Sequence, residues 1–251
     1  MALSGSAFLA LWNDVDADVE ADYERWHTIE HVPERVGIPG FLAGRRYRSD
    51  GADAASQARY FTLYEVWDAS VFESAAYRDV IDHPTPWSAT MRPRLRNVMR
   101  ATCEAAGSLA GQGAHSVVGD ANAIACARFF CAPHAAPQIQ PLLNACASLT
   151  GIRAVYLGAT HDSVPQAFQQ WSKGAAPSHV LLIEGDDEAV LRAARADIAR
   201  AIATHAPSSE PATIDIYTLA FRIEHAQVDD SLRRAASAPF SIDAHSEHSG
   251  H

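Results

Sequence analysis

The alternation of apolar and polar residues divides the chain into two successive series of elements. In the first half it predicts strands at 6–15, 41–49, 59–67 and 97–106, a helix at 19–36, and two helical pieces over 70–81 and 88–96. In the second half it predicts strands at 122–132, 152–160, 178–185 and 213–224, and helices at 136–151 and 187–205. Period-2 alternation indicates the strands and a 3.6-residue period indicates the helices. Each half therefore has the order βαββαβ.

This order predicts the fold class. A βαββαβ unit is typical of the ferredoxin-like fold, in which four antiparallel strands carry two helices on one face. Two units in one chain can cover each other's open sheet face. We therefore expect an α+β protein with two tandem ferredoxin-like modules, at 1–110 and 119–227, that form an intrachain dimeric α+β barrel. The segment 228–251 lacks a hydrophobic period and is rich in Ser, Ala and His, which predicts a disordered tail.

The first helix carries the first candidate chemistry, in the stretch "RWHTIEHVPERVGIPGF". At about 100° per residue, one arc expected to face the sheet contains Val19, Tyr23, Trp26, Ile29, Pro33 and Val36. Glu30 lies near the middle of this arc, His27 at its edge, and His31 further toward solvent. Because a buried carboxylate is costly unless it is paired or protonated, Glu30 is predicted to share proton transfer with His27. The alternative is that Glu30 forms a fixed salt bridge that only positions the helix.

The strand "FLAGRRYRS" after this helix offers arginine partners. Strict alternation places Arg45 and Tyr47 on one face of the strand and Arg46 on the other. One of the two arginines is therefore expected to point toward the helix. A guanidinium group there would bind a substrate carboxylate or phenolate.

A second cluster lies in "IDHPTPWSATMRPRLRNVMR", where Pro84 and Pro86 break a helical pattern. His83 and Trp87 are expected to approach His27 and Trp26, because the two helices of a ferredoxin-like module share one sheet face. The segment also contains four arginines that predict a local anion-attracting patch, namely Arg92, Arg94, Arg96 and Arg100. The alternative is a joint between helices with exposed arginines. The second half has no counterpart of either cluster.

Charge and composition exclude several classes of protein. Thirty acidic against twenty basic side chains give a net charge of −10, which argues against nucleic-acid binding. No apolar run approaches the roughly 20 residues of a membrane span, and the N-terminus is expected to form a strand, not a signal peptide. The four cysteines form no C-x-x-C pair and are predicted to be buried free thiols, as in a cytoplasmic protein.

No metal site is predicted. His27 and His31 have the H-x-x-x-H spacing of a zinc helix, but the glutamate does not directly follow the first histidine, and Pro33 comes two residues after the second. In the tail, His245, His248 and His251 recur every three residues without a fixed acidic or cysteine partner.

The segments "ALWNDVDADVEADYERWHTIEHVPERVGIPGFLAGRRY", "RYFTLYEVWD" and "HPTPWSATMRP" together resemble a bacterial group in the dimeric α+β barrel superfamily, related to EthD-type proteins. The superfamily includes cofactor-independent monooxygenases, muconolactone-type isomerases, polyketide cyclases and haem enzymes such as dye-decolorising peroxidases and chlorite dismutases. The resemblance implies a pocket for an organic acid or a phenol and does not select the reaction.

The first hypothesis is a cofactor-independent lyase or isomerase, hydratases and decarboxylases included, acting on a small aromatic-derived or unsaturated acid. His27 is the expected general acid or base, Glu30 shares or tunes the proton, and His83 is a second proton carrier. The expected substrate-binding residues are Tyr23, Trp26, His31, Arg45, Arg46, Tyr47, Trp87 and Arg92. The expected partner is the small-molecule substrate, and a homodimer is possible.

Two alternatives remain open. One is an oxygenase or peroxidase-like enzyme for phenols, either without a cofactor or with a haem whose axial ligand is His83, His27 or His31. The other is a non-catalytic protein that binds an unstable small molecule.

Overall fold

The computed structural model describes residues 3–49, 58–111, 121–131, 136–161, 176–208 and 210–233. The strands in these ranges are β1 (Ala7–Val15), β2 (Phe41–Arg48), β3 (Tyr60–Val66), β4 (Leu95–Ala110), β5 (Ala123–Phe129), β6 (Ile152–Thr160), β7 (His179–Gly185) and β8 (Thr213–Glu224). The helices are α1 (Glu20–Trp26), α2 (Val32–Val36), α3 (Ala75–Asp82), α4 (Pro86–Met91), α5 (Ile139–Ala147) and α6 (Glu188–His205). Most of the predicted tail, 234–251, lies outside the described residues.

The strands form one closed barrel in the order β1-β3-β2-β8-β5-β7-β6-β4, antiparallel throughout. The first four strands follow the order β4-β1-β3-β2 and the last four the matching order β8-β5-β7-β6. Two pairings, β2 with β8 and β4 with β6, join the halves, so that each of the eight described strands is paired on both sides. The predicted α+β class is confirmed, and the closed barrel agrees with the dimeric α+β barrel architecture.

Strand β4 differs from its prediction at both ends. The predicted helix through residue 96 is wrong, because α4 ends at Met91 and a short 3₁₀ turn, Arg92–Arg94, leads into β4 at Leu95. Pro93 lacks a backbone N–H and cannot continue the helix. At its other end β4 extends to Ala110, into the predicted linker, because its second part pairs with β6. Residues 112–120 of that linker lie outside the described residues.

Alternate residues of each strand face two different layers. Along β1, Phe8, Ala10 and Trp12 point into the barrel, where they join the interior cluster. The residues between them face the helices, which cover the outside of the barrel. In the second half this outer layer is an apolar cluster of α5, α6 and four strands, with side chains such as Leu143, Ile183 and Ile198.

A π-helical turn over His27–His31 interrupts the first helix between α1 and α2. The Val32 N–H donates to the His27 carbonyl, five residues back. Pro33 gives a reason for the turn, because a proline ring clashes with the carbonyl four residues earlier, and one extra residue per turn removes that clash. The helix then continues past Pro33 to Val36, the predicted end of the helix.

The π turn moves every later side chain back by one position on the helix surface. His31 therefore occupies the sheet-facing position that Glu30 would hold in a regular helix. The predicted inward arc is wrong at Ile29, which is 54% exposed, and at Glu30, which lies at the side of the helix. Pro33 and Val36, which also belong to that arc, are buried. Gly44 of β2 allows close packing of α2, because a Cβ there would lie 2.7 Å from Val36 Cγ2.

The four cysteines are free thiols, and three of them are buried, namely Cys103, Cys126 and Cys146. No helix in the part of the chain that the structure describes is long and apolar enough to cross a membrane.

Candidate functional site

A cavity lies between the first helix and the sheet of the first half. Its lining comes from β1, β2, β3, the first helix, α3, the 3₁₀ turn after α4 and the beginning of β4. The lining residues are Leu9, Leu11, Asn13, Tyr23, Trp26, His27, His31, Arg35, Phe41, Tyr64, Tyr77, Arg92, Leu95, Val98 and Arg100. The cavity volume is about 60 Å³, roughly two water molecules. Arg92, Leu95 and Val98 are only half-buried and indicate the mouth. The reacting part of an aromatic ligand fits only if these side chains at the mouth move.

One side of the cavity carries a hydrogen-bonded chain of Asn13, Tyr23 and His27. The Tyr23 hydroxyl oxygen lies 3.1 Å from Asn13 Nδ2, 3.2 Å from Asn13 Oδ1 and 3.3 Å from His27 Nδ1. A tyrosine hydroxyl has one proton. When that proton goes to Asn13 Oδ1, His27 Nδ1–H donates to the Tyr23 oxygen, and His27 Nε2 keeps its lone pair for a ligand. The chain can therefore hold His27 in the tautomer of a general base.

The imidazoles of His27 and His31 stack one turn apart, with ring centroids 5.2 Å apart. Tyr23 stacks on the other side of His27 at 5.0 Å, and Trp26 lies 4.3 Å from the His31 ring. The π turn produces this row of rings, because it directs His31 into the layer beside Trp26. Both histidines thus face one cavity.

Three arginines line the cavity. Arg35 Nη1 binds Glu34 Oε2 at 2.9 Å, and Arg100 Nη2 donates to the Tyr77 hydroxyl at 2.9 Å. Arg92 donates to the carbonyl oxygens of residues 81 and 80, at 2.7 and 3.0 Å, at the end of α3. Among the described residues that line the cavity there is no Asp or Glu. The lining therefore favours an anionic ligand.

The same surroundings keep both histidines neutral. Burial lowers the pKa of His27 well below its usual 6.5, and the Arg46 and Arg35 charges lower it further. Burial also lowers the pKa of His31, again with a contribution from Arg35. Burial raises the pKa of Tyr23 and Tyr64, so both hydroxyls keep their protons near neutral pH.

A β-bulge lies beside this site. Between the pairs Trp12–Met99 and Asp14–Arg96, β4 has one residue more than β1. Asn97, in the bulge, has φ +50°, a left-handed conformation that asparagine tolerates. Its side chain donates to Asp14 Oδ2 at 2.7 Å and fixes the strand next to Asn13 and Val98.

Five of the predicted site residues meet at the cavity, namely Tyr23, Trp26, His27, His31 and Arg92. The expectation that His31 turns toward solvent is wrong because of the π turn. The two strand arginines do not line the cavity. Arg45 points into the barrel and pairs with Glu65, whereas Arg46 points to the helix layer and binds Glu24 Oε2 at 2.8 Å, behind Tyr23. Tyr47 is in the barrel interior.

The remaining three predicted residues lie outside the cavity lining. Glu30 Oε1 accepts hydrogen bonds from the Thr85 and Ser88 hydroxyls at 2.6 and 3.3 Å and so joins the first helix to α4. This arrangement matches the alternative in which Glu30 positions the helix, with hydroxyls in place of a salt bridge. His83 is exposed at the end of α3, 2.8 Å from Asp79. Trp87 donates to Asp22 Oδ2 at 3.1 Å.

The sequence interpretation did not single out Asn13, Arg35, Tyr64 and Tyr77, which line the cavity. A signal existed for Asn13, because the other helix-facing residues of β1 are apolar, but not for Tyr64, whose face of β3 also contains Tyr60 and Thr62. Arg35 had no such signal, since its direction depends on the π turn. Arg100 was predicted only as part of an arginine patch.

The residues present do not fit a haem or a metal ion. A cavity of about 60 Å³ is far smaller than a porphyrin, and even a cavity for benzene holds about 150 Å³. Of the predicted axial ligands, His83 is on the surface, and His27 and His31 line the cavity, which is too small for the ring. No cluster of three His, Cys, Asp or Glu that could bind a metal occurs among the described residues.

No protein-family model and no curated protein sequence matches this chain. Solved structures do match. One described as an anthrone oxidase-like protein has a TM-score of 0.64 and 11% identity, covering 95% of this chain and 99% of that one. A "Putative monooxygenase" from Fusobacterium nucleatum subsp. nucleatum has a TM-score of 0.54 and 12% identity, covering 88% and 95%.

The chain shares its fold with these two structures, and this fold agrees with the predicted dimeric α+β barrel. At 11% and 12% identity, this likeness concerns the fold alone. The predicted relation to EthD-type proteins and the bacterial origin stay predictions.

Proposed function

We propose that this protein is an enzyme that works without a cofactor and removes a proton from a small aromatic or unsaturated organic compound. His27 is the general base, and the arginines of the cavity bind the anion that forms. The observation that carries the proposal is a neutral His27, held through Nδ1 by Tyr23, in a cavity lined by three arginines and no carboxylate.

The arginines near His27 make its protonation depend on a bound anion. In the free protein, burial and the Arg46 and Arg35 charges lower the pKa of His27, so the imidazole is unprotonated and ready to accept a proton. An anion formed beside His27 offsets those charges and raises the pKa of His27 again. Proton transfer is therefore favoured only when the product anion stays in the cavity.

The second histidine supports the lyase or isomerase class that the sequence predicts. An isomerase must return a proton to a different atom from the one that lost it. His31 lies 5.2 Å from His27, ring centroid to ring centroid, in the same cavity. One imidazole can thus remove the proton and the other can supply one elsewhere on the substrate.

A second candidate function is a cofactor-independent oxygenase in which the substrate anion reacts with O₂. The fold neighbours described as anthrone oxidase-like and as a monooxygenase favour it. The cavity supplies the same first step, removal of a proton. The two candidates differ only in what happens to the anion.

Deuterium exchange tests the shared step before the full reaction is known. We expect wild-type protein in D₂O to exchange the acidic hydrogens of some members of a panel of small phenols, aromatic ketones and unsaturated acids, detected by mass spectrometry. His27→Ala should lower the exchange rate by at least about 100-fold, the usual contribution of a general base. His83→Ala, a change of an exposed histidine, should retain it.

The outcome also separates the alternatives. Exchange with equal product formation in air and without oxygen supports an isomerase or lyase, and product formation only in air supports the oxygenase. Binding of panel members without any exchange would contradict the proposal and support the non-catalytic binding protein.

Three structural expectations accompany this proposal. We infer that the two halves are tandem ferredoxin-like modules at 1–110 and 119–227, since both have the strand order described above. A homodimer stays a prediction, because the barrel closes within one chain. The small-molecule substrate is the expected partner.

A further inference from the structure

Two buried polar atoms in the cavity lack a hydrogen-bond partner among the described residues. They are the Tyr64 hydroxyl oxygen, on the sheet side, and His31 Nδ1, on the helix side. Tyr64 is only 2% exposed. Buried polar groups are nearly always hydrogen-bonded, because an unpaired one loses its water without compensation. The pair therefore points to a polar ligand atom.

The surroundings indicate which kind of atom this is. The Tyr64 hydroxyl is a proton donor at neutral pH, and the neutral His31 ring donates from Nδ1 in one of its two tautomers. The Arg35 guanidinium acts electrostatically on both side chains. The neighbouring Tyr77 hydroxyl is already engaged by Arg100, at 2.9 Å, so it differs from that of Tyr64. Two donors beside a positive charge suit an oxygen that becomes negative.

We propose that the Tyr64 hydroxyl and His31 Nδ1–H form an oxyanion hole for the carbonyl oxygen of an enolisable ketone. This inference rests on the proposed role of His27 and narrows the substrate class from small aromatic or unsaturated organic compounds to enolisable ketones. The C–H bond next to the carbonyl breaks, and its proton goes to His27 Nε2. The electron pair of that bond forms a C=C bond, while the electrons of the C=O π bond move to the oxygen at Tyr64 and His31.

Donors aimed at the oxygen that gains charge stabilise the enolate more than the ketone, and this difference lowers the barrier. The base and the two donors belong to different groups of lining residues. His27 is held by Tyr23 on one side, and His31 and Tyr64 leave their donors to the ligand. Tyr64 is thus a catalytic residue that the strand pattern alone could not assign.

Binding of an enolate mimic tests the inference without any turnover. The probe is 4-nitrophenolate, titrated by its visible absorbance at a pH where the free compound is fully ionised. Tyr64→Phe should weaken its binding about tenfold or more, since a hydrogen bond to a charged group is worth at least that factor. Tyr156→Phe is the matched control, because the Tyr156 hydroxyl is also buried without a partner among the described residues but lies in the barrel interior.

Both variants remove an unpaired buried hydroxyl, so both should melt at or above the wild-type temperature, and only Tyr64→Phe should lose binding. His31→Asn, which retains a donor near the Nδ1 position, should bind the probe better than His31→Leu. His27→Ala should still bind the probe while losing deuterium exchange, which separates a failure of this inference from a failure of the proposed function. Equal binding by wild type, Tyr64→Phe and His31→Leu would overturn the oxyanion hole.

Discussion

The helix-facing layers of the two halves have the same strand order, but three matched positions are polar in the first half and apolar in the second. Strand β1 pairs with β3 from Ala7–Val66, and β5 pairs with β7 from Ala123–Gly185, so positions along the strands can be matched. The matched pairs are Asn13 and Phe129, Tyr64 and Ile183, and Arg100 and Ile214. Three polar residues around a cavity in the first half thus correspond to three apolar residues in a filled core.

This difference indicates that the second half contributes mainly stability and the first half contains the ligand site. The second half buries a continuous apolar cluster and contributes stability. The first half keeps two neutral histidines, an unpaired hydroxyl and three arginines around a space, an arrangement that costs stability and is useful only with a ligand. The first helices also differ, because the π turn and its histidine pair occur in the first half and α5 is a regular helix.

The largest expected effect is the loss of deuterium exchange when the general base His27 is replaced. His27→Ala should lower deuterium exchange of a reactive panel member by about 100- to 10,000-fold, because general acid–base catalysis contributes that much. His179→Ala, which removes a half-buried histidine stacked on Phe129 in the second half, should leave exchange within about threefold of wild type. Equal losses of deuterium exchange in both variants would contradict a catalytic site confined to the first half.

A core variant in the second half should lower stability and leave ligand binding unchanged. Ile198→Ala, in the fully buried face of α6, should lower the free energy of unfolding by about 2–5 kcal/mol through lost packing and a new cavity. Chemical denaturation measures the loss, and 4-nitrophenolate binding to the remaining folded protein should be unchanged. Weaker probe binding in this variant would mean that the second half contributes to the site.

Charge in the cavity should matter for anion binding. Arg100→Met should weaken 4-nitrophenolate binding by about tenfold, since it removes a buried cation that lines the cavity. Arg153→Met removes a half-buried arginine of the second half, which binds Asp186 at 2.5 Å and does not line the cavity, and should have little effect. Similar binding constants for the two variants would argue against an anion site.

Acid should destabilise the protein through the two histidines of the first-half cavity. His27 and His31 have pKa values below 6.5 when folded and about 6.5 when unfolded, so between these values the unfolded chain binds more protons. Stability that is complete above pH 6.5 should therefore fall as the pH drops below it. Thermal melts of a double variant, His27→Phe with His31→Leu, should depend less on pH in this range. An unchanged pH dependence would contradict neutral buried histidines.

The smallest expected effect is a change in the free energy of unfolding that tests the π turn. Ile29→Ser should change the free energy of unfolding by less than about 0.5 kcal/mol, because the turn exposes Ile29. Val36→Ala, on the buried face of α2, should cost more than about 1 kcal/mol. A large loss for Ile29→Ser would instead support the regular helix that the sequence predicts.

The sequence predicts strands and their order well, because period-2 alternation survives in every strand of the barrel. It also predicts Tyr23 and Trp26, which precede the π turn, and His27, which begins it, as residues of the site. It fails at Glu30 and His31, where one extra residue per turn changes the helix phase without a clear signal beyond Pro33. It also fails at Arg45 and Tyr47, because alternation cannot tell the barrel interior from the helix layer when both faces are buried.

The most direct test of the central claim maps where an anion binds. Nuclear magnetic resonance of protein with ¹⁵N-labelled histidine side chains, titrated with 4-nitrophenolate, reports on both halves at once. We predict that the imidazole signals of His27 and His31 shift with one binding constant while that of His179 does not move. Shifts at His179 with none at His27 and His31 would contradict an anion-binding site in the first half.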